Sequence, residues 1–252
     1  MFEHTESLHF IEQIVKADLE AGFSPDKLRF RFPPEPNGYL HIGHLKAIAL
    51  NFNLGKRFNA PVNLRFDDTN PAKESAEFVN VIKNDIQWLG YEWAEERYAS
   101  DYFDQLFAWA QELISKGLAY VDSQSSEVMA TQKGSPTQVG INSPFRDADS
   151  ETNLILFQEM ADGKHEEGTL VLRAKIDMAS SNMLLRDPVI YRILKKDHHR
   201  TGSTWCIYPM YDWTHGESDY IEAISHSLCT LEFKPHRDLY EWFLSSLNPL
   251  NH

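Results

Sequence analysis

A chain of 252 residues with 42% hydrophobic and 24% charged residues is long enough to bury a real core, as one large domain or two small ones. Its formal charge of −13 argues against a sequence-blind nucleic-acid binder, which is usually basic. No apolar run approaches the roughly 18–20 residues of a membrane span, and the acidic, polar start Met1 to Ser7 is not a secretory or transit signal. Two cysteines without a CxxC point to a reducing compartment and against a structural zinc site, while a Cys206–Cys229 disulfide stays open.

Ser7 reads as an N-cap ahead of Ile11, Ile14, Val15 and Leu19 at helical spacing, a helix ending before Gly22. Leu28 to Phe32 alternates like a strand. The run Pro33-Pro34-Glu35-Pro36-Asn37-Gly38-Tyr39-Leu40-His41-Ile42-Gly43-His44 follows and leads into a helical pattern from Leu45 to Phe58. A strand, a stiff loop and a helix N-terminus in that order make an anion site, because free N–H groups and the positive dipole end both favour phosphate. Val62 to Phe66 alternates again and ends in the polar run Asp67-Asp68-Thr69-Asn70-Pro71. Lys73 to Leu89 then reads as a helix with Phe78, Ile82, Ile86 and Leu89 on one face. This β-α-β-α order predicts a parallel sheet, whose ligands bind at the carboxyl ends of the strands. Both unusual loops lie at such ends.

Further on, Asp101 to Lys116 is predicted helical and Leu118 to Val121 extended. Asp122 to Ser150 reads as loops and short elements, and Leu154 to Met160 as a short helix. Leu170 to Ile176, Val189 to Leu194 and Trp205 to Tyr211 look like strands, Ile221 to Phe233 is mixed, and Arg237 to Leu247 is a helix. The simplest parsing is an α/β protein, a parallel-sheet domain interrupted by an inserted mixed domain between about residues 95 and 210. Arg192, Lys195, Lys196, His198, His199 and Arg200 form a candidate basic face, or else a solvated surface segment.

His41 and His44, taken alone, are two exposed histidines at a helix start; the proline loop before them shifts the reading toward a nucleotide site. They lack further zinc ligands at recognisable spacing, and HExxH, the Walker loop and GxGxxG are absent. Gly43 is either a simple helix-start glycine or a gap that lets a base or ribose reach the backbone. Asp67 and Asp68 suit an Asx turn or a cap, or one of them holds an ammonium group. Most aromatics of Trp205 to Trp213 read as core, and Cys229 as a small buried apolar residue rather than a nucleophile.

Six motifs in order, RFPPEPNGYLHIGH (Arg31–His44), LRFDDTNP (Leu64–Pro71), LRAKIDMAS (Leu172–Ser180), RDP (Arg186–Pro188), YPMYD (Tyr208–Asp212) and HSLCTLEF (His226–Phe233), closely resemble the glutaminyl-tRNA synthetases, which are class I aminoacyl-tRNA synthetases. The resemblance implies a Rossmann-like sheet split by an insertion that binds the tRNA acceptor end. It divides the chain into 1–95, the first half of the catalytic domain, 96–210, the insertion, and 211–252, the start of the second half. It also implies ATP, with Mg2+, as a substrate, glutamine and tRNA(Gln) as partners, and a cytoplasmic monomer without a membrane partner or a protein-bound metal. By the same likeness, His41 and His44 stabilise phosphate charge. Glu35, Pro36, Asn37, the segment His41, Ile42, Gly43, His44, Leu45, Lys46 and Ala47, and Thr230 line the ATP site. Asp67 holds the substrate ammonium, and Arg31 and Tyr211 approach the substrate's polar ends.

Glutamate-type relatives carry arginine where this chain has Cys229. A neutral cysteine leaves a γ-carboxylate uncompensated in a desolvated pocket, which favours glutamine. The family's second signature, a KMSKS-like lysine loop, does not occur in these residues, nor do the anticodon-reading β-barrels. The resemblance therefore predicts a catalytic-domain fragment. Lys234-Pro235-His236 stands where relatives often carry an acidic residue that approaches the acceptor stem.

Overall fold

A computed structural model describes residues 8–247. The Ser7 cap and the start and end of the 1–95 and 211–252 units lie partly outside the described residues. Helix α1, Phe10–Glu20, is capped by His9, whose ring accepts from Ile11 N while Glu12 accepts from His9 N. Strand β1 (Phe30–Phe32), helix α2 (Ile42–Phe58), strand β2 (Val62–Phe66), helix α3 (Ala76–Trp88) and strand β3 (Glu96–Tyr98) follow. The three strands form a parallel sheet in the order β1-β2-β3. The sequence did not reveal β3, because its three residues are charged or half-exposed and show no apolar alternation. Helix α3 starts later than periodicity suggests, because Ser75 Oγ accepts from Phe78 N and so sets the cap.

Both faces of this sheet are buried. Phe30, Phe32, Val62, Leu64 and Phe66 pack with Ile48 and Phe52 of α2 and Val79, Ile82 and Ile86 of α3. The alternate residues Arg31, Asn63 and Arg65 point the other way and are also buried, with Arg31 and Asn63 adjacent in register. Alternation alone suggests a solvated second face; here a polar helix covers it.

Helix α4, Phe103–Ser115, enters a second layer built on the antiparallel sheet β4 (Ala119–Asp122), β5 (Val171–Ala174), β6 (Val189–Ile193) and β7 (Ile207–Pro209). Helices α5 (Ser126–Gln132) and α6 (Ser150–Ala161) flank it. Its core joins Leu106, Ala110, Phe157, Leu172, Tyr191 and Tyr208 with Trp213, Leu239 and Phe243 from later in the chain. Helix α7 (Tyr211–Ile221) and helix α8 (Arg237–Leu247) complete the described residues. Sequence periodicity missed α7. Thr214, His215, Glu217, Ser218 and Asp219 on it are buried, so its inward face is polar and carries no apolar stripe. Cys206 and Cys229 are free thiols.

Candidate active site

The proline loop leaves the carboxyl end of β1 and is pinned to the loop after β2. Pro34 O accepts from Asp67 N at 2.9 Å, and Pro36 O accepts from Ser75 N at 3.1 Å. The two loops singled out by sequence are therefore one assembly. At the start of α2, His41 Nδ1 accepts from Gly43 N at 3.0 Å and His44 Nδ1 accepts from His41 N at 3.1 Å. The histidines thus form a reciprocal cap, which leaves Nε2 of each neutral ring as the N–H donor. Their ring centroids lie 4.0 Å apart. Burial, then the neighbouring His41, lowers the pKa of His44 and favours its neutral form. A Cβ on Gly43 would lie 2.8 Å from His41 Cε1, so the glycine makes room for the capping ring itself. Glu35 and Asn37 are exposed and hydrogen-bonded to each other, while Lys46 is exposed and Ala47 half-buried.

Asp67 and Asp68 separate sharply. Asp68 Oδ1 accepts from Ser100 N at 2.8 Å and its Oδ2 from Ser100 Oγ at 2.7 Å. Asp67 is buried, and neither carboxylate oxygen has a well-formed hydrogen bond among the described residues, the Thr69 side chain being only a weak donor to it. Burial pushes its pKa up to about 7, with Arg65 pulling it down and Glu35 and Asp68 pushing it further up. Glu74 nearby is raised to about 9, chiefly by burial. A buried carboxylate without a close partner is costly.

Behind these loops, α7 presents Asp219 to Arg31 and Arg65. Arg31 makes a bidentate pair at 3.0 Å to each Asp219 oxygen, and Arg65 reaches Asp219 at 2.8 Å. Burial opposes the charged form of Asp219, but the two arginines hold its carboxyl well below the usual range. Arg31 also donates to Leu228 O at 2.9 Å and meets His215 Nε2 at 2.9 Å. Its guanidinium is fully enclosed, so it forms the floor of the site with its charge already matched.

Tyr211, His215, Cys229 and Thr230 line one cavity of about 470 Å³, with Ser227, Phe233 and Lys234 at its sides. Tyr211 stacks on His215 at 5.0 Å between centroids. Burial pushes the Tyr211 phenol up, and the charges of Asp67 and Arg31 reach it, which puts these groups in one locality. Burial drives His215 down to about 3, so its ring is neutral at ordinary pH. Cys229 is exposed at the cavity wall, 3.9 Å from His215 Nε2 and 4.0 Å from Arg31. The buried apolar position and desolvated surroundings expected for that thiol are therefore corrected: it stands exposed on an open wall. His41, Ile42 and Leu45 line a separate cleft of about 350 Å³ with Trp88. Thr230 thus sits with Tyr211 and Cys229, and no residue is shared between the two hollows.

The expected basic face is corrected by the structure. His198 is buried, His199 meets Asp68 at 3.1 Å, Arg200 pairs with Asp101 at 2.7 Å, and Lys195 pairs with Glu166 at 2.7 Å. Acidic partners thus take up Lys195, His199 and Arg200, and the segment is not a continuous basic face. The insertion motifs also build structure: Arg173 pairs with Asp122 at 2.8 Å, and Arg186 donates to the carbonyls of Ser180, Lys133, Ser135 and Gln138. Asp219, Arg65 and His215 were not visible as site residues in the sequence, because they need the α7 pairing to meet. The one signal available was arginine at alternate strand positions.

A parallel sheet with a donor-rich helix start after β1 and a poorly partnered carboxylate after β2 is an α/β arrangement that suits an anionic ligand at the carboxyl ends of the strands. Residues 27–251 match the family described as tRNA synthetases class I (E and Q), catalytic domain, and the chain belongs to that family. It is 59% identical over 243 residues to the glutamine–tRNA ligase of Ectopseudomonas mendocina, covering 96% of this chain and 44% of that protein. Against the glutamine–tRNA ligase of Stutzerimonas stutzeri the identity is 60% over 240 residues, covering 95% of this chain and 43% of that one. The chain therefore spans less than half the length of these curated relatives. A glutamate tRNA ligase from Elizabethkingia meningosepticum, solved in complex with its amino acid, shares the fold with a TM-score of 0.61 at 17% identity, covering 88% of this chain and 47% of that one.

Proposed function

We propose that this chain carries the site that activates glutamine with ATP and passes the glutaminyl group to the acceptor end of tRNA(Gln). A glutamine carboxylate oxygen attacks the α-phosphorus of ATP; the bond to the bridging oxygen breaks, and pyrophosphate leaves. The tRNA 2′-hydroxyl then attacks the acyl carbon, loses its proton to solvent, and displaces AMP. The observation that carries this reading is the unpaired Asp67 carboxylate on the same pinned loop assembly as the His41–His44 helix start.

In this reading His41 and His44 donate their Nε2–H groups to phosphate oxygens as charge builds. Glu35, Pro36, Asn37 and the 41–47 segment surround ATP on one side, and Thr230, from the other hollow, approaches it on the other. Mg2+ arrives on the ATP phosphates, because the helix start offers imidazoles and this hard ion prefers oxygen ligands. Asp67 takes the α-ammonium. Tyr211, His215 and Cys229 form an uncharged end for the side-chain amide, and Arg31 behind them is neutralised by Asp219. That neutrality supports glutamine over glutamate, as do the names of the relatives. The region 96–210 takes the acceptor end, with Lys234 and His236 of the cavity lining as its candidate contacts. We place the protein in the cytoplasm, a reading its free thiols support, and take it to be a monomer. No helix among the described residues is long and apolar enough to cross a membrane.

ATP–pyrophosphate exchange, with glutamine and with or without tRNA, tests the proposal. Glutamine-dependent exchange is expected, and His41→Ala lowers it by ~10²–10³, the usual cost of one aimed donor. Exchange that is unchanged in His41→Ala contradicts the role of the helix start. Glutamine binding without any exchange reduces the chain to a binding module.

A further inference from the structure

We propose that His198 and His199 are positioning residues for the ammonium site: they clamp Asp68 from the antiparallel layer and thereby hold the adjacent Asp67 carboxylate in place for its ligand. The inference rests on Asp67 as the ammonium partner. The Asp67 carboxylate has no well-formed hydrogen bond and only the weak pull of Thr69, so its position comes chiefly from its main chain. On the N-terminal side that hold is Asp67 N donating to Pro34 O at 2.9 Å. On the C-terminal side it is the clamp.

His198 lies between β6 and β7, in a loop closed by His198 N to Gly202 O and Gly202 N to His198 O, both at 2.9 Å. Its Nδ1 accepts from Arg200 N at 3.2 Å and Thr201 N at 3.3 Å. A ring that accepts at Nδ1 carries its hydrogen on Nε2, and this Nε2 donates to Asp68 O at 2.7 Å. Phe103 and Tyr208 pack against the ring on the inner side. His199 Nε2 donates to Asp68 Oδ2 at 3.1 Å. Arg200 closes the arrangement from outside, 3.8 Å over the Tyr98 ring and 2.7 Å from Ser100 Oγ. Both the peptide and the side chain of Asp68 are thus fixed by the antiparallel layer, one residue from the free carboxylate.

Asp68, His198 and His199 also place three potential metal-ligand atoms within 4.8 Å of one another. The hydrogen bonds argue against a metal centre. His198 Nε2 is the protonated nitrogen and already serves the Asp68 carbonyl, so it has no lone pair to offer. The cluster is wired as a donor clamp.

The test is titration calorimetry of this chain with L-glutamine and with its deamino analogue, 4-carbamoylbutanoate. His199→Leu removes the donor to Asp68; His199→Gln keeps an amide N–H of similar reach. His199→Leu is expected to weaken glutamine about tenfold, leave the deamino analogue unchanged, and add nothing in an Asp67→Asn background. His199→Gln restores most of the affinity, a rescue that general loss of packing does not give. Ser100→Ala, which removes another donor to the same carboxylate oxygen, gives a smaller loss in the same direction and serves if His199→Leu does not fold. Equal weakening of both ligands, or unchanged glutamine affinity in both His199→Leu and Ser100→Ala, overturns the clamp. If wild-type binding does not depend on the amino group or on Asp67, the ammonium reading itself fails and takes the clamp with it.

Discussion

The floor beneath α7 and the carboxyl end of β2 each bury a carboxylate, yet only the floor supplies partners. Asp219 receives Arg31 and Arg65, and its Oδ2 also accepts from Ser227 Oγ at 2.7 Å. Asp67 has no well-formed hydrogen bond among the described residues and only a weak donor in Thr69. A saturated charge network behaves as scaffold, since every group in it has already been compensated for leaving water. A buried carboxylate left uncompensated is instead a candidate to meet the charge of a ligand.

The strongest way to break this contrast is Asp219→Ala. It strands two buried arginines, so about 3–5 kcal/mol of stability should go, which urea denaturation will read. A loss below about 1 kcal/mol would mean that the floor is not held by this network. Asp67→Asn should do the reverse. It is expected to weaken glutamine about 10–100-fold, the cost of one charge-assisted partner, while the ligand-free protein becomes more stable. A destabilised Asp67→Asn protein would show that Asp67 has a structural partner after all.

The pH dependence sharpens the same point. Asp67 has a folded pKa of about 7 against an ordinary value of 3.8, so the fold binds this proton more tightly than the unfolded chain does. Its stabilising contribution is full below the ordinary value and is lost as pH rises toward 7. Melting temperatures of wild type and Asp67→Asn should therefore diverge over that interval and run parallel above it. Glutamine affinity should rise through the same interval, because the ammonium needs the ionised carboxylate. His215 acts at the acid end. Its folded pKa of about 3 lies below 6.5, so stability is lost as pH falls from 6.5 toward 3. The smallest effect belongs to Arg237→Ala. Its pair with Glu241 is exposed on α8, and the melting temperature should not move.

Residues 28–89 were largely legible, because two strands and their following helices each carry a local pattern and the ligand loops fall where a parallel sheet predicts. The match of α8, Arg237–Leu247, to its apolar spacing has the same origin. The α7 floor was not legible. Its helix buries polar side chains, and their partners lie about 150–190 residues away in sequence, as in the Arg31–Asp219 and Asn63–Glu222 contacts. The pattern of one segment does not contain such pairings. His198 and His199 misled for a related reason: six basic residues in nine look like a surface patch until Asp68, Asp101 and Glu166 are brought to them. The Asp67–Asp68 pair showed the limit most plainly, since two identical side chains in adjacent positions have opposite surroundings.

The most direct measurement is the titration of the Asp67 carboxyl carbon by ¹³C NMR, with and without glutamine. The account predicts a midpoint near 7 in the free protein and a marked fall when glutamine binds. An ordinary carboxylate midpoint that glutamine leaves in place would contradict it.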